Sequence, residues 1–202
     1  MRLAILAVTT VLLAACGSIL PKPAAPPVLY RLTPLPPAES ATPLDVQLVV
    51  PLPSAPAALD TDRIALSLAP LRLDYFADAA WSDRAPGMIQ SLIVESLANQ
   101  GRIRVVTRPS GELRSDATLA IDLERFDAGY EGGDPPAVRV RLVASLVRDR
   151  SAFAVRTFDA TSRAAHNDTP AIVASFDQAL HAVLGELAPW TADQLAANAP
   201  RP

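Results

Sequence analysis

The chain has 202 residues, half of them hydrophobic and 5% aromatic, and its 18 Lys and Arg against 21 Asp and Glu give a formal net charge of −3. This length predicts one domain with flexible ends, and the hydrophobic fraction is large enough for a core built mainly from aliphatic side chains. The mild charge includes no basic run, which argues against nucleic acid as a partner. The single cysteine, Cys16, excludes an intrachain disulfide framework.

An N-terminal targeting segment comes first along the chain. Arg2 supplies a positive charge, and the apolar run Leu3–Leu13 has the length of a secretory signal core, well short of the roughly 20 residues that span a bilayer. The tetrapeptide Leu13-Ala14-Ala15-Cys16 follows and resembles the lipobox of bacterial lipoproteins. The resemblance implies recognition of Leu13, Ala14 and Ala15 by a signal peptidase. It further implies removal of residues 1–15 and attachment of a diacylglycerol thioether and an N-acyl chain, such as palmitate, to Cys16. An ordinary buried cysteine is the alternative.

Lipidation of Cys16 would determine where the protein resides. Several acyl chains hold a protein firmly on a bilayer, whereas one chain binds only marginally. In lipoproteins of the kind that the lipobox resembles, the residue after the cysteine is read as a sorting signal, and Gly17 is not the aspartate associated with inner-membrane retention. We therefore expect a lipid anchor on the periplasmic face of the outer membrane, with no cofactor besides the covalent lipid.

Residues 16–27 are predicted to form a tether that carries the lipidated cysteine. Prolines at positions 21, 23, 26 and 27 favour extended geometry with a reach of roughly 35 Å. The folded domain is predicted over residues 28–198, and residues 199–202 form a frayed tail. Its first elements are a short edge strand at Val28–Leu32, followed by several prolines, and a cleaner strand at Val46–Val50.

Alternating apolar residues predict two further strands, Arg63–Leu68 and Leu71–Phe76, joined by a tight turn at Ala69-Pro70. The period then changes to that of an amphipathic helix, which begins at Pro86 and ends before Gly101. The apolar stripe of this helix consists of Met88, Ile89, Leu92, Ile93 and Leu97.

A strand at Ile103–Val106 and a three-strand meander come next, with meander strands at Ala117–Ala128, Ala137–Arg148 and Phe153–Ser162. One face of the meander should line the core, and its members are Leu119, Ile121, Leu123, Val138, Val140, Leu142 and Ala144. The other face should carry cross-strand charge pairs and polar residues, namely Asp122, Glu124, Arg139, Arg141 and Ser145. The same outer face is predicted to hold Phe126, Val143 and Phe158, which either lie under helices or form an apolar surface.

A second helix is predicted to start with Thr169 as its N-cap and Pro170 as its first helical residue, and to stop at Pro189. Residues 191–198 have the spacing of a capping box followed by one short further helix. The complete layout predicts an α/β fold with a single domain, in which a mixed, mostly antiparallel sheet is covered by two main helices.

The pattern of hydrophobic positions resembles the auxiliary lipoproteins of ABC-type transporters. The resemblance rests on Tyr30-Arg31-Leu32, Arg63, Leu73-Asp74-Tyr75-Phe76, Trp81, Pro86, Met88, Leu92, Leu97 and the closing stretch from Ala171 through Leu187. It implies an outer-membrane lipoprotein that works with an ATPase, a permease and a mammalian-cell-entry-type lipid-binding protein. The implied cargo is phospholipid or another hydrophobic molecule, and self-association is compatible with the resemblance.

Motifs for enzyme chemistry are nearly lacking in the sequence. The only histidines are His166, in a polar loop, and His181, on the second predicted helix, so there is no Cys-His pair and no metal quartet. No serine lies in a Gly-x-Ser-x-Gly elbow, and Gly132-Gly133 is followed by two prolines rather than by a phosphate-binding helix. We therefore expect a protein that is not an enzyme and holds no metal.

Tyr75, Phe76 and Trp81 are the most suggestive cluster outside the signal segment. Aromatic side chains anchor many interfaces, so one interpretation is a contact surface for a partner or a lipid. The alternative is a corner of the core, where the helix entry packs against the sheet. For the function as a whole, the alternative to a transport component is an envelope assembly or secretion scaffold lipoprotein.

Overall fold

The structure is a computed structural model that describes residues 26–38, 42–110 and 115–199. The predicted signal segment, Cys16 and most of the tether lie outside the described residues, so what the sequence predicts for them stays a prediction. The elements in chain order are β1 (Val28–Tyr30), β2 (Leu44–Val49), β3 (Arg63–Ala69), β4 (Arg72–Trp81), α1 (Ala85–Asn99), β5 (Ile103–Thr107), β6 (Ala117–Gly129), β7 (Ala137–Arg148), β8 (Ser151–Arg163) and α2 (Thr169–Ala197).

One eight-stranded sheet is organised around β6. The meander β6–β7–β8 is antiparallel, as the sequence predicts, and accounts for most of the residue pairing. On its other edge β6 pairs in parallel with β2 at its start and with β3 at its end. Strand β5 then adds to β2, while β4 adds to β3 and β1 adds to β4. The predicted mixed α/β fold with two main helices is confirmed.

Both helices cover the same face of the sheet. Helix α2 contacts β7 and β8, helix α1 contacts β5, and the two helices contact each other. Beneath them lies the predicted inner wall of the meander, in which every one of the seven side chains is at most 4% exposed. Burial of this wall and of the two apolar helix stripes is the main favourable term that holds the layers together.

A β-bulge reverses the faces of β6 halfway along its length. Leu123 lies opposite Leu142 and Arg125 opposite Arg141, so Glu124 is the extra residue. Phe126 therefore turns inward opposite Val140 and is 2% exposed. The prediction that Phe126 lies on the outer face is wrong because strict alternation fails at the bulge.

The placement of Phe158 on the outer face is also wrong. Phe158 lies opposite the inward-facing Leu142, is 2% exposed, and packs edge-on against Trp190 with ring centroids 5.4 Å apart. Val143, by contrast, is half-exposed on the outer face, as predicted.

Helix α2 is continuous through Pro189, so the predicted stop and the separate short helix are both wrong. Beyond the proline, Ala192 and Leu195 are at most 1% exposed, and their burial maintains the helix against the lost backbone hydrogen bond. The Thr191 hydroxyl donates to the Leu187 carbonyl one turn back, at 2.8 Å, and does not cap a new helix.

At the start of α2, the Asp168 carboxylate accepts a hydrogen bond from the Ala171 N–H at 2.8 Å. Asp168 rather than Thr169 is therefore the N-cap.

Gly185, inside α2, and Gly101, just after α1, are expected to change the stability of the fold in opposite directions when replaced by alanine. Gly185 lies inside α2, and a Cβ built there meets no atom within 4 Å. Gly101 follows α1 with φ of +64°, the left-handed geometry that the sequence predicts for this position. We expect Gly185→Ala to raise the free energy of unfolding by about 0.5–1 kcal/mol and Gly101→Ala to lower it by at least that amount. Urea unfolding of both variants measures this, and a destabilised Gly185→Ala protein would contradict the helix geometry.

Candidate functional site

The β3–β4 hairpin carries the most exposed apolar surface among the residues that the structure describes. Leu68 is 40% exposed, Leu73 is 44% exposed, and Leu71, in the turn between the strands, is fully exposed. We call Leu68–Leu73 the hairpin tip. Only four other large apolar residues of the described ranges are exposed, and only these three leucines lie within six residues of one another on a projecting turn. Clustered exposure of this kind marks an interaction surface more often than scattered leucines do.

An open cleft of about 370 Å³ lies beside the hairpin tip on the outer face of the sheet. Its apolar wall includes Leu59, Leu71 and Leu73, and its charged wall is formed by Arg125 and Asp127 of β6. A cleft of this size is at the low end of the range of small-molecule sites, and it is open rather than enclosed. The cleft is therefore an open surface on which apolar side chains lie next to charged ones, and it does not enclose a ligand.

The charges beside the cleft are paired with one another. The Asp127 side chain is only 7% exposed and receives Arg139 at 2.9 Å and Arg125 at 3.3 Å. Arg139 also contacts Glu131 at 2.7 Å. The charge of this buried carboxylate is balanced by its two arginine partners, and the group holds the end of β6 against β7. Sequence reasoning missed Asp127 because the bulge moves it onto the outer face, whereas the predicted outer pair of Glu124 with Arg141 is present at 2.9 Å.

The pairing of Glu131 with Arg139 predicts a measurable titration. The hydrogen bond from Arg139, and secondarily its charge, hold the pKa of Glu131 below its usual range. A lowered folded-state pKa stabilises the fold above the ordinary glutamate pKa of about 4.3, and this contribution is lost as the pH falls through the lowered value. We expect the Glu131 pKa, measured by carbon NMR of the carboxyl group, to rise in Arg139→Gln and to stay unchanged in Arg141→Gln, which faces Glu124. An unchanged pKa in Arg139→Gln would contradict the pairing.

Trp81, Tyr75 and Phe76 do not form one surface. Strand β4 extends beyond the predicted end to Trp81, which is 1% exposed and has its ring centroid 5.4 Å from that of Phe126 and 5.1 Å from that of Phe176. Its side chain is therefore part of the core, which is the alternative that the sequence left open.

Tyr75 and Phe76 are both half-buried on β4. The Tyr75 hydroxyl donates to the Ala58 carbonyl at 3.0 Å, and the Arg63 guanidinium stacks 3.8 Å above its ring. These contacts attach the hairpin to the segment that follows β2. Contact of Tyr75 or Phe76 with a partner or lipid stays a prediction.

Thr33, Asp177 and His181 form a contact between the segment after β1 and helix α2, which we call the Thr33 clasp. The Thr33 N–H donates to Asp177 Oδ1 at 2.7 Å, and the Thr33 hydroxyl lies 2.8 Å from Asp177 Oδ2. His181 Nε2 lies 2.9 Å from the Thr33 carbonyl oxygen, the position of a donor. The Thr33 hydroxyl also lies 3.0 Å from His181 Nε2, but Asp177 approaches this same nitrogen, at 3.9 Å, and not the opposite side of the ring as the acid of a catalytic triad does. The group therefore serves to fasten the chain.

Neither a metal site nor a membrane span is found in the part of the chain that the structure describes. Within residues 26–38, 42–110 and 115–199, no three His, Cys, Asp or Glu side chains converge in a way that could hold a metal ion. Among the helices of the same ranges, none combines the length and apolar character needed to cross a bilayer. His166 is exposed in the loop before α2.

Comparison with known proteins places this fold in a family. A family model described as the ABC-type transport auxiliary lipoprotein component matches residues 30–188, well over half of the chain. The uncharacterized protein bll6063 of Bradyrhizobium diazoefficiens is 30% identical over 154 residues, which are 75% of this chain and 41% of that protein. The chain thus spans less than half the length of this curated relative.

Solved structures share the fold. Protein XCC0632 from Xanthomonas campestris is similar with 32% identity and a TM-score of 0.78, over 85% of this chain and 98% of that chain. A second crystal structure, of an uncharacterized protein, is similar with 16% identity and a TM-score of 0.65, over 83% of this chain and 99% of that one. The second likeness shows the common fold alone.

Proposed function

Since the chain belongs to the family of ABC-type transport auxiliary lipoprotein components, we propose that it is a non-enzymatic lipoprotein anchored through Cys16 on the periplasmic face of the outer membrane. The family match over residues 30–188 is the observation that carries this proposal. The paired charges beside the cleft and the fastening role of the two groups around Asp127 and His181 support a binding module rather than an enzyme.

The transporter that the protein assists is proposed to be linked to a mammalian-cell-entry-type lipid-binding component. In this assignment an ATPase and a permease supply the energy and the passage, and the anchored domain holds the outer-membrane end of the system. The cargo is phospholipid or another hydrophobic molecule. Association of several copies of the domain is part of the same proposal.

Photo-crosslinking in cells tests the assignment. A photoreactive amino acid is placed singly at Leu71, Leu52 or Val155, which are all at least 61% exposed and lie in separate parts of the described chain. Exposure makes each substitution compatible with folding. We expect at least one position to capture a lipid-binding or permease component of the transporter.

Three results of the crosslinking contradict the transport assignment or modify it. Capture of a pore or fibre-secretion component would favour the envelope scaffold alternative. Capture of no transporter component from any of the three positions would contradict the proposal. Crosslinks only between copies of the chain would support self-association and would likewise contradict the link to a transporter.

A further inference from the structure

We propose that the hairpin tip inserts its leucines into the surface of the same lipid leaflet that holds Cys16, so that the domain has a second membrane contact of its own. This inference rests on the proposed lipid anchor and goes beyond it. The anchor alone leaves the orientation of the domain free, whereas a second contact defines which end of the sheet faces the bilayer.

The chemistry of the hairpin tip fits a lipid surface. Leu71 is fully exposed, and Leu68 and Leu73 keep 40% and 44% of their surface in water. Transfer of such side chains into an apolar phase is favourable in proportion to the area removed from water. Arg72 follows directly, and its side chain is 67% exposed. Its Nη2 contacts Asp74 at 3.4 Å, so its stem can lie along the leucines while the other guanidinium nitrogens face lipid phosphates.

The path of the chain brings the anchor to this same end of the domain. Strand β1 runs parallel to β4 with Val28 opposite Ala79, so the chain that leads into Val28 comes from the side of the hairpin tip. From Ala79 back to Arg72 the strand covers about 23 Å at ~3.3 Å per residue. The predicted tether, residues 16–27, would reach roughly 35 Å at ~3.1 Å per residue if it takes polyproline geometry. The tether is therefore long enough for Cys16 and the hairpin tip to reach one leaflet together.

The free edge of β4 disfavours a partner that adds a strand. Among the residues with a described position, the outer edge of β4 pairs with β1 only from Ala79 to Trp81. Nearer the tip, the Asp74 carboxylate accepts from the Tyr75 N–H at 2.9 Å and contacts Arg72 at 3.4 Å. Charged side chains on an edge strand are a recognised protection against strand addition. The exposed leucines thus need an occupant that makes apolar contact without backbone pairing, as lipid does.

Fluorescent labelling of the acylated full-length protein tests the contact. Acylation consumes the thiol of Cys16, so Leu71→Cys offers one thiol for a nitrobenzoxadiazole label. Leu52→Cys is the matched control, because Leu52 is 61% exposed and lies beside Asp60, at the other end of the hairpin. Both proteins are reconstituted in phosphatidylethanolamine–phosphatidylglycerol vesicles, with and without nitroxide-labelled acyl chains.

We expect the label at position 71 to shift its emission to shorter wavelength and to be quenched by the nitroxide lipids, while the label at position 52 shows neither effect. Water-like emission from both positions would overturn the proposal. A shift at position 71 without nitroxide quenching would overturn it as well, since the occupant would then be protein, such as a second copy.

Mass spectrometry of Cys16 separates this failure from failure of the anchor. An acylated protein whose label at position 71 stays in water refutes the tip contact and leaves the proposed anchor intact. A protein without acyl groups refutes the anchor and, with it, a contact that requires the tether to be fixed in the same leaflet.

Discussion

Replacement of Trp81 by alanine is expected to lower the free energy of unfolding by about 3–5 kcal/mol. The indole is 1% exposed and packs against Phe126 and Phe176, whose own ring centroids lie 4.9 Å apart. These three rings join the end of β4 to β6 and to α2, so the truncation leaves a cavity at the meeting point of three elements. Urea unfolding monitored by circular dichroism measures the loss.

Two further variants separate cavity formation from other effects at Trp81. Within the described residues the Trp81 Nε1–H has no hydrogen-bond partner, so Trp81→Phe removes an unpaired donor and should cost clearly less than alanine. Leu71→Ala removes a fully exposed side chain and should change the free energy of unfolding by no more than about 0.5 kcal/mol. If Trp81→Ala kept its stability and lost only partner binding, the assignment of Trp81 to the core would be wrong.

Cys16→Ser is expected to release the protein from the membrane fraction, or to leave it with an uncleaved signal segment, while the domain still folds. Serine has no thiol for the diacylglycerol thioether, and without several acyl chains a protein is not held firmly on a bilayer. Within the described residues the first strand begins at Val28, and the core is built from side chains between Leu32 and Leu195. Membrane fractionation and the mass of the N-terminal peptide measure localisation and processing.

Ser18→Ala serves as the matched control for the loss of Cys16, because it alters the same segment and keeps the thiol. This variant should be processed and membrane-bound like the parent protein. A Cys16→Ser protein that remains processed and membrane-bound would refute the lipoprotein assignment, whatever the result with Ser18→Ala.

Local periodicity sufficed to predict every strand and both main helices. Alternation located the meander, the change to a three- and four-residue period located α1, and the need for positive φ located Gly101. These features are local consequences of side-chain spacing and backbone sterics, which the sequence displays directly. The family resemblance likewise rests on hydrophobic spacing and was confirmed by the match over residues 30–188.

Tertiary packing decided the features that the sequence could not reveal. The bulge at Glu124 follows from register with β7 and moves Phe126 from one face to the other. Continuation of α2 past Pro189 depends on burial of Ala192 and Leu195, which outweighs a local helix breaker. The sequence does not indicate the hairpin tip, because exposure of Leu71 depends on the position of the turn at the end of the sheet and not on its composition.

The direction of β1 also determines how the domain bears mechanical load. A pull on the chain ahead of Val28 acts along the strand axis, so the hydrogen bonds between β1 and β4 resist it together in shear instead of separating one after another. The Thr33 clasp, which follows β1 in the chain, joins this segment to α2, so that a force on β1 is also borne by the helix. If the proposed membrane anchor and an engaged transporter move apart, we expect β1 to stay paired with β4 and not to be peeled away from one end.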